Sequence, residues 1–81
     1  MDETIIVQFI SHRKRVNVDL EIPLDITANE LIDALNKAYD LEIDTDNMKE
    51  CYLKAEDPLI LLKGSRQLKD FGIRTGTILR Y

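Results

Sequence analysis

The chain has 81 residues, 44% of them hydrophobic and 32% charged, with a formal net charge of -4. That is enough for one small domain, which at this size buries only about 60 to 65% of the surface its unfolded chain exposes. The acidic balance argues against a nucleic-acid binder held by phosphate contacts, and the single cysteine, Cys51, excludes an internal disulfide and any all-cysteine metal site.

No apolar run approaches the roughly 20 residues that span a bilayer, and the opening MDETIIVQF carries acids where a secretion signal carries basic charge. The expectation is a soluble, cytoplasmic protein of one domain, residues 1–81. Against the acidic background stands one basic cluster, His12 to Arg15.

Thr4 to Ile10 is rich in β-branched residues, and from Val16 to Ile22 Val, Val, Leu and Ile alternate strictly with Asn17, Asp19 and Glu21. Alternation of that kind gives a strand with one buried and one wet face. The short polar link makes the two segments an antiparallel hairpin with His12 to Arg15 at its tip.

PLDITANELIDALNKAYDL carries a helix-start signature. Thr27 caps, Glu30 answers it three residues later, and Ile26 packs on Leu31 as a hydrophobic staple. The helix is predicted from Ala28 to about Asp40. Leu31, Ile32, Leu35, Ala38 and Tyr39 form its apolar stripe, and Asp33 pairs with Lys37 on the wet side.

Leu41 to Glu50 reads as a polar connection, with Asp44 to Asn47 capping turns. The IDTDNM run is a poor calcium loop, because Met48 would fall at the fifth ligand position and no glycine follows. Cys51 to Ala55 and Leu59 to Lys63 are strand candidates around the turn Glu56-Asp57-Pro58, and LILL is apolar on both faces. A loop follows from Gly64, with Gly72 and Gly76 suited to positive φ and Leu68, Phe71 and Ile73 pinning it to the core. Thr77 to Tyr81 is the last strand. The order of elements predicts an α+β fold, a single sheet with one helix covering one face.

Nothing in the chain assembles a catalytic group. His12 is the only histidine and lies at the hairpin tip beside Arg13, with no partnered nucleophile, and no glycine loop opens a helix to cradle phosphate. The reading is a non-enzyme with no cofactor and no metal.

Leu68, Asp70, Phe71 and Ile73, followed by Gly76 and a final strand, resemble the loop before the last strand of ubiquitin-like β-grasp domains. With Gly64, Gly72 and Leu79 the spacing is similar to the YukD/EsaB family, small ubiquitin-like proteins associated with type VII secretion systems of Gram-positive bacteria. The resemblance implies a five-stranded mixed sheet with the first and last strands parallel at its centre. It also implies a cytoplasmic accessory or regulatory factor that acts by protein contact on a secretion component such as the membrane ATPase. Conjugated relatives and sulfur carriers are activated at a flexible tail ending in two glycines. A chain that ends GTILRY is therefore expected to be neither conjugated nor a sulfur carrier. The alternatives are a generic ubiquitin-like docking module and, behind it, a protein modifier or sulfur carrier.

If Ile5, Val7 and Phe9 face the helix, alternation sends Ile6, Gln8 and Ile10 to the open side; burying Leu79 sends out Ile78 and Arg80, and burying Leu53 sends out Tyr52 and Lys54. Ile6, Ile10, Tyr52, Ile78 and Arg80 are the candidate partner-binding patch. Basic His12 to Arg15 reads first as a solvated hairpin turn and, in the alternative, as a contact for an acidic partner surface whose binding would weaken with salt. An unpaired LILL edge would join two copies unless Lys63 blunts it, so the expected state is a monomer or weak dimer.

Overall fold

A computed structural model describes residues 3–44, 46 and 51–81. Strands β1 (Thr4–Ser11) and β2 (Val16–Pro23) form the hairpin, helix α1 spans Ala28–Tyr39, and β3 (Leu53–Glu56), β4 (Ile60–Leu62) and β5 (Ile78–Arg80) complete the sheet. The sheet is five-stranded with the order β2-β1-β5-β3-β4. β1 and β5 run parallel side by side at its centre and the remaining pairs are antiparallel, as expected.

Alternation sets the sheet faces. Ile5, Val7, Phe9, Leu53, Ala55, Leu62 and Leu79 are buried together with Leu31, Ile32 and Leu35 of α1. Phe9 also meets the Tyr39 ring at 5.6 Å between centroids. The register carries this face from strand to strand, with Phe9 opposite Leu79 and Leu79 opposite Ala55.

The helix starts as its sequence dictates. The Glu30 N–H donates to Thr27 Oγ1 and the Thr27 N–H donates to Glu30 Oε1, both at 3.1 Å, so two donors of the first turn are satisfied reciprocally. A second tie holds the same end: Asn29 N–H donates to the Gly64 carbonyl at 3.0 Å, and Gly64 N–H donates to Asn29 Oδ1 at 3.2 Å. Lys37 pairs with Asp33 at 3.0 Å. At the other end Asp40 takes the left-handed conformation with φ 52° and closes the helix.

Three expectations need correction. Ala38 is exposed, while Ala28 is buried in its place. The stripe centres on Ala28, Leu31, Ile32 and Leu35, and a methyl at its rim is too short to reach the core. The stretch from Leu41 is not wholly polar, since Leu41 and Ile43 are buried. Asn36 makes that return, donating from Nδ2 to the Ile43 carbonyl at 3.2 Å and accepting the Ile43 N–H at 3.0 Å. The strands after the helix are also shorter than predicted: β3 begins at Leu53, leaving Cys51 and Tyr52 outside it, and its turn is Asp57–Leu59.

Within 41–50 the Asp46 N–H donates to Asp44 Oδ1 at 3.0 Å, a turn-capping contact, whereas Thr45, Asn47 and Met48 lie outside the described residues. The loop before β5 is better organised than its composition suggests. Leu68–Phe71 makes one 3₁₀ turn closed by Gly72 at φ 76°, with Leu68 and Ile73 buried and Phe71 half-buried. Gly76, at φ 98°, opens the approach to β5.

Candidate functional site

The sheet face opposite α1 carries no element among those described, so the out-pointing residues of the five strands form one continuous surface. The pairing fixes its rows. In one, Asn17, Ile10, Arg80, Lys54 and Leu61 follow one another across the strands; in the next, Asp19, Gln8, Ile78 and Glu56 do so. A row runs perpendicular to strands about 4.8 Å apart, so these side chains are immediate neighbours.

Each predicted patch residue is on this side, but they do not form one spot. Ile10 and Arg80 are direct neighbours, Ile78 lies between Gln8 and Glu56, and all three are half-buried. Ile6, 51% exposed, stands one row further out, opposite Glu21. Tyr52, 45% exposed, precedes β3 and reaches the group through a shared depression. That depression, about 470 Å³, is lined by Arg13, Tyr52, Lys54, Arg80 and Tyr81.

Hydrogen bonds hold several side chains of this surface in place. Gln8 Nε2 donates to Asn17 Oδ1 at 2.8 Å across the β1–β2 pair. Arg80 Nε donates to Glu56 Oε1 at 2.6 Å diagonally across β3–β5, and its Nη1 lies 3.5 Å from His12 Nε2. At the hairpin tip Arg13 and Lys14 both reach Glu42, at 3.3 and 3.1 Å. The Lys14 hydrogen bond and the charges of Lys14 and Arg13 hold the Glu42 carboxyl below its usual value of 4.5. Ser11, buried beneath the tip, accepts the Lys14 N–H at 3.4 Å.

The far end of β5 is anchored differently. Thr77 is fully buried; its hydroxyl donates to the Asp57 carbonyl at 2.9 Å and accepts the Arg74 N–H at 3.0 Å. Arg74 then pairs with Asp57 at 2.7 Å. One hydroxyl thus joins the loop before β5 to the β3–β4 turn.

The sequence missed part of this surface. Arg13, Lys54 and Tyr81 join Arg80 and Tyr52 around the depression. Alternation could place Lys54 on the open face, but only the β3–β5 register puts it next to Arg80. Leu59 is 86% exposed at the β3–β4 turn, and with Leu61 it extends apolar surface to the β4 edge. Cys51 is buried, with its thiol donating to the Asp44 carbonyl at 3.5 Å. Among the described residues no three His, Cys, Asp or Glu side chains come together in a metal-binding arrangement, and no helix is long and apolar enough to cross a membrane.

The architecture is shared with ubiquitin-like domains of low sequence identity. The C-terminal ubiquitin-like domain of mouse tubulin-specific chaperone e superposes with a TM-score of 0.75 at 15% identity, over 98% of this chain and 84% of that one. A ubiquitin-like domain from tubulin-binding cofactor B gives 0.77 at 21% identity, over 99% and 89%. The ubiquitin-like domain of the Mycobacterium tuberculosis type VII secretion system protein ECCD1 gives 0.54 at 17% identity, over 96% of both chains. No curated protein sequence matches. The sequence model of YukD, a protein of the WXG100 protein secretion system (Wss), matches residues 4–80. With that match spanning the sheet, the helix and the loop before β5, the chain belongs to the YukD family of ubiquitin-like, secretion-associated proteins.

Proposed function

We propose that this chain is a non-catalytic, cytoplasmic accessory of a WXG100, or type VII, secretion system, acting as one domain through protein contact. The observation that carries the reading is the family match over residues 4–80. The name of the mycobacterial neighbour, a type VII secretion system protein, agrees with it. Ile6, Ile10, Tyr52, Ile78 and Arg80 form the contact surface. The open face supports that role, because its apolar side chains are interleaved with Gln8, Lys54 and Arg80, the mixture of apolar body and polar handle found at interfaces.

The partner is a component of the secretion machine, its membrane ATPase first among them. Contact rather than conjugation is favoured by the use of the glycines: Gly64, Gly72 and Gly76 stand apart and each holds a turn at positive φ, so none forms an adjacent pair. Affinity capture of the tagged chain from a native lysate, read by mass spectrometry, tests the reading. Secretion-machine proteins led by the ATPase are the expected catch. Recovery of unrelated proteins alone would overturn it.

A further inference from the structure

We propose that the corner of the open face bounded by Arg13, Lys54 and Arg80 takes an acidic segment of a protein partner, with an apolar or aromatic side chain seated between Tyr52 and Tyr81. The inference rests on the reading of the open face as a partner surface and adds the chemistry of what docks there.

The chain is net -4, yet among the described residues the 470 Å³ depression is lined by Arg13, Lys54, Arg80 and two tyrosines, with no acidic side chain. Three separate segments deliver these cations: the hairpin tip, β3 and β5. Carboxylates nearby do not neutralise the corner. Glu42 is shared by Arg13 and Lys14, and Glu56 takes only the Nε of Arg80, leaving Nη1 facing His12. Among the described side chains Arg13, Lys14, Lys54 and Arg80 therefore stand against Glu42 and Glu56, with the imidazole of His12 beside them.

The geometry favours a carboxylate-bearing segment over a bare ion. Arg80 is held by Glu56 with its guanidinium across the strands, an oriented fork suited to carboxylate oxygens. Tyr52 and Tyr81, each slightly under half exposed, offer apolar ring surface beside the cations in the same depression. A long polyanion fits poorly. Continuing along β1 and β2 it meets Asp19 and then Glu21, which stand opposite Gln8 and Ile6 on the same face. The face is thus basic at one end and acidic at the other, which orients a short acidic segment and repels an extended phosphate backbone.

The test is an amide NMR titration of the ¹⁵N-labelled full chain with a short peptide alternating glutamate and leucine. The glutamine–leucine counterpart and an oligo(dT) strand serve as comparisons. The glutamate peptide should shift the amides of Arg13, Tyr52, Lys54, Arg80 and Tyr81, and binding should weaken as salt rises. Lys54→Glu, an exposed position with no ion pair among those described, should keep the wild-type melting temperature and weaken the glutamate peptide about fivefold. Equal binding of the glutamine peptide, shifts confined to another surface, no binding, or tighter binding of oligo(dT) would each overturn the proposal. The lysate capture is independent of this result. Secretion proteins recovered equally by wild type and Lys54→Glu would leave the secretion reading standing and remove the acidic-segment one.

Discussion

The two faces of the central strands are written in alternate residues of the same segments, yet they obey different rules. On the covered face Val7, Phe9, Leu53 and Leu79 are at most 1% exposed, and each is fixed by what packs on it. On the open face Ile6, Ile10, Ile78 and Arg80 remain partly wet, and their arrangement comes from strand register, with Arg80 also held by Glu56. Change on the first face is felt as stability; change on the second should be felt as binding.

The largest effect belongs to Leu79. Leu79→Ala should cost about 2 to 5 kcal/mol, and deleting residues 79–81 removes β5 and should leave the chain unfolded in far-UV circular dichroism. A truncated chain with native thermal stability would show that β5 does not hold the sheet. Next comes Thr77→Val, which keeps the volume but strands the Asp57 carbonyl and the Arg74 N–H. About 1 to 3 kcal/mol should be lost in urea denaturation. An unchanged midpoint would mean that water or a shifted loop satisfies both groups. Thr27→Ala, which opens the capping box, should cost about 1 kcal/mol by the same measurement.

Ile6→Ser sharpens the contrast from the open side. Stability should move by no more than about 0.5 kcal/mol, while recovery of the secretion partner from lysate falls. A large stability loss with partner recovery intact would reverse the assignment of the faces. The smallest effect is expected from Glu42→Gln. The carboxyl of Glu42 is depressed first by its Lys14 hydrogen bond and then by the Lys14 and Arg13 charges. Its contribution is therefore present above pH 4.5 and is lost as the pH falls through the lower, folded value. The difference in melting temperature between wild type and variant should be small at neutral pH and vanish in strong acid.

Much of this was legible in the residues. Val16 to Ile22 states its own face by alternation, Thr27 and Glu30 mark the helix start within one residue, and Gly72 and Gly76 mark turns that need positive φ. These signals are local, so each survives without knowledge of the rest of the fold. Leu41 and Ile43 did not announce themselves, because they enter the core through a side-chain clamp from Asn36 and not through a periodic element. The 3₁₀ turn at Leu68–Phe71 is too short for a period to show. For the site, alternation gave the correct side for every patch residue, but not their neighbours. That Arg80 lies between Ile10 and Lys54 follows from two pairings between strands far apart in sequence, one parallel and one antiparallel. Tyr52 shares a depression with Arg13 for the same reason.

The parallel pairing of β1 with β5 also has a kinetic side. The Ile6 N–H donates to Thr75 Oγ1, a partner 69 positions away along the chain, so the centre of the sheet closes a loop that takes in most of the molecule. Local pieces such as the hairpin and α1 can form before that closure, but loop entropy places the β1–β5 pairing among the later and slower events. Arg13, Lys54 and Arg80 meet only after it. No short fragment of the chain can present that corner, and a ligand held there stabilises the closed state by mass action. A partner docking on it would therefore meet only the folded chain.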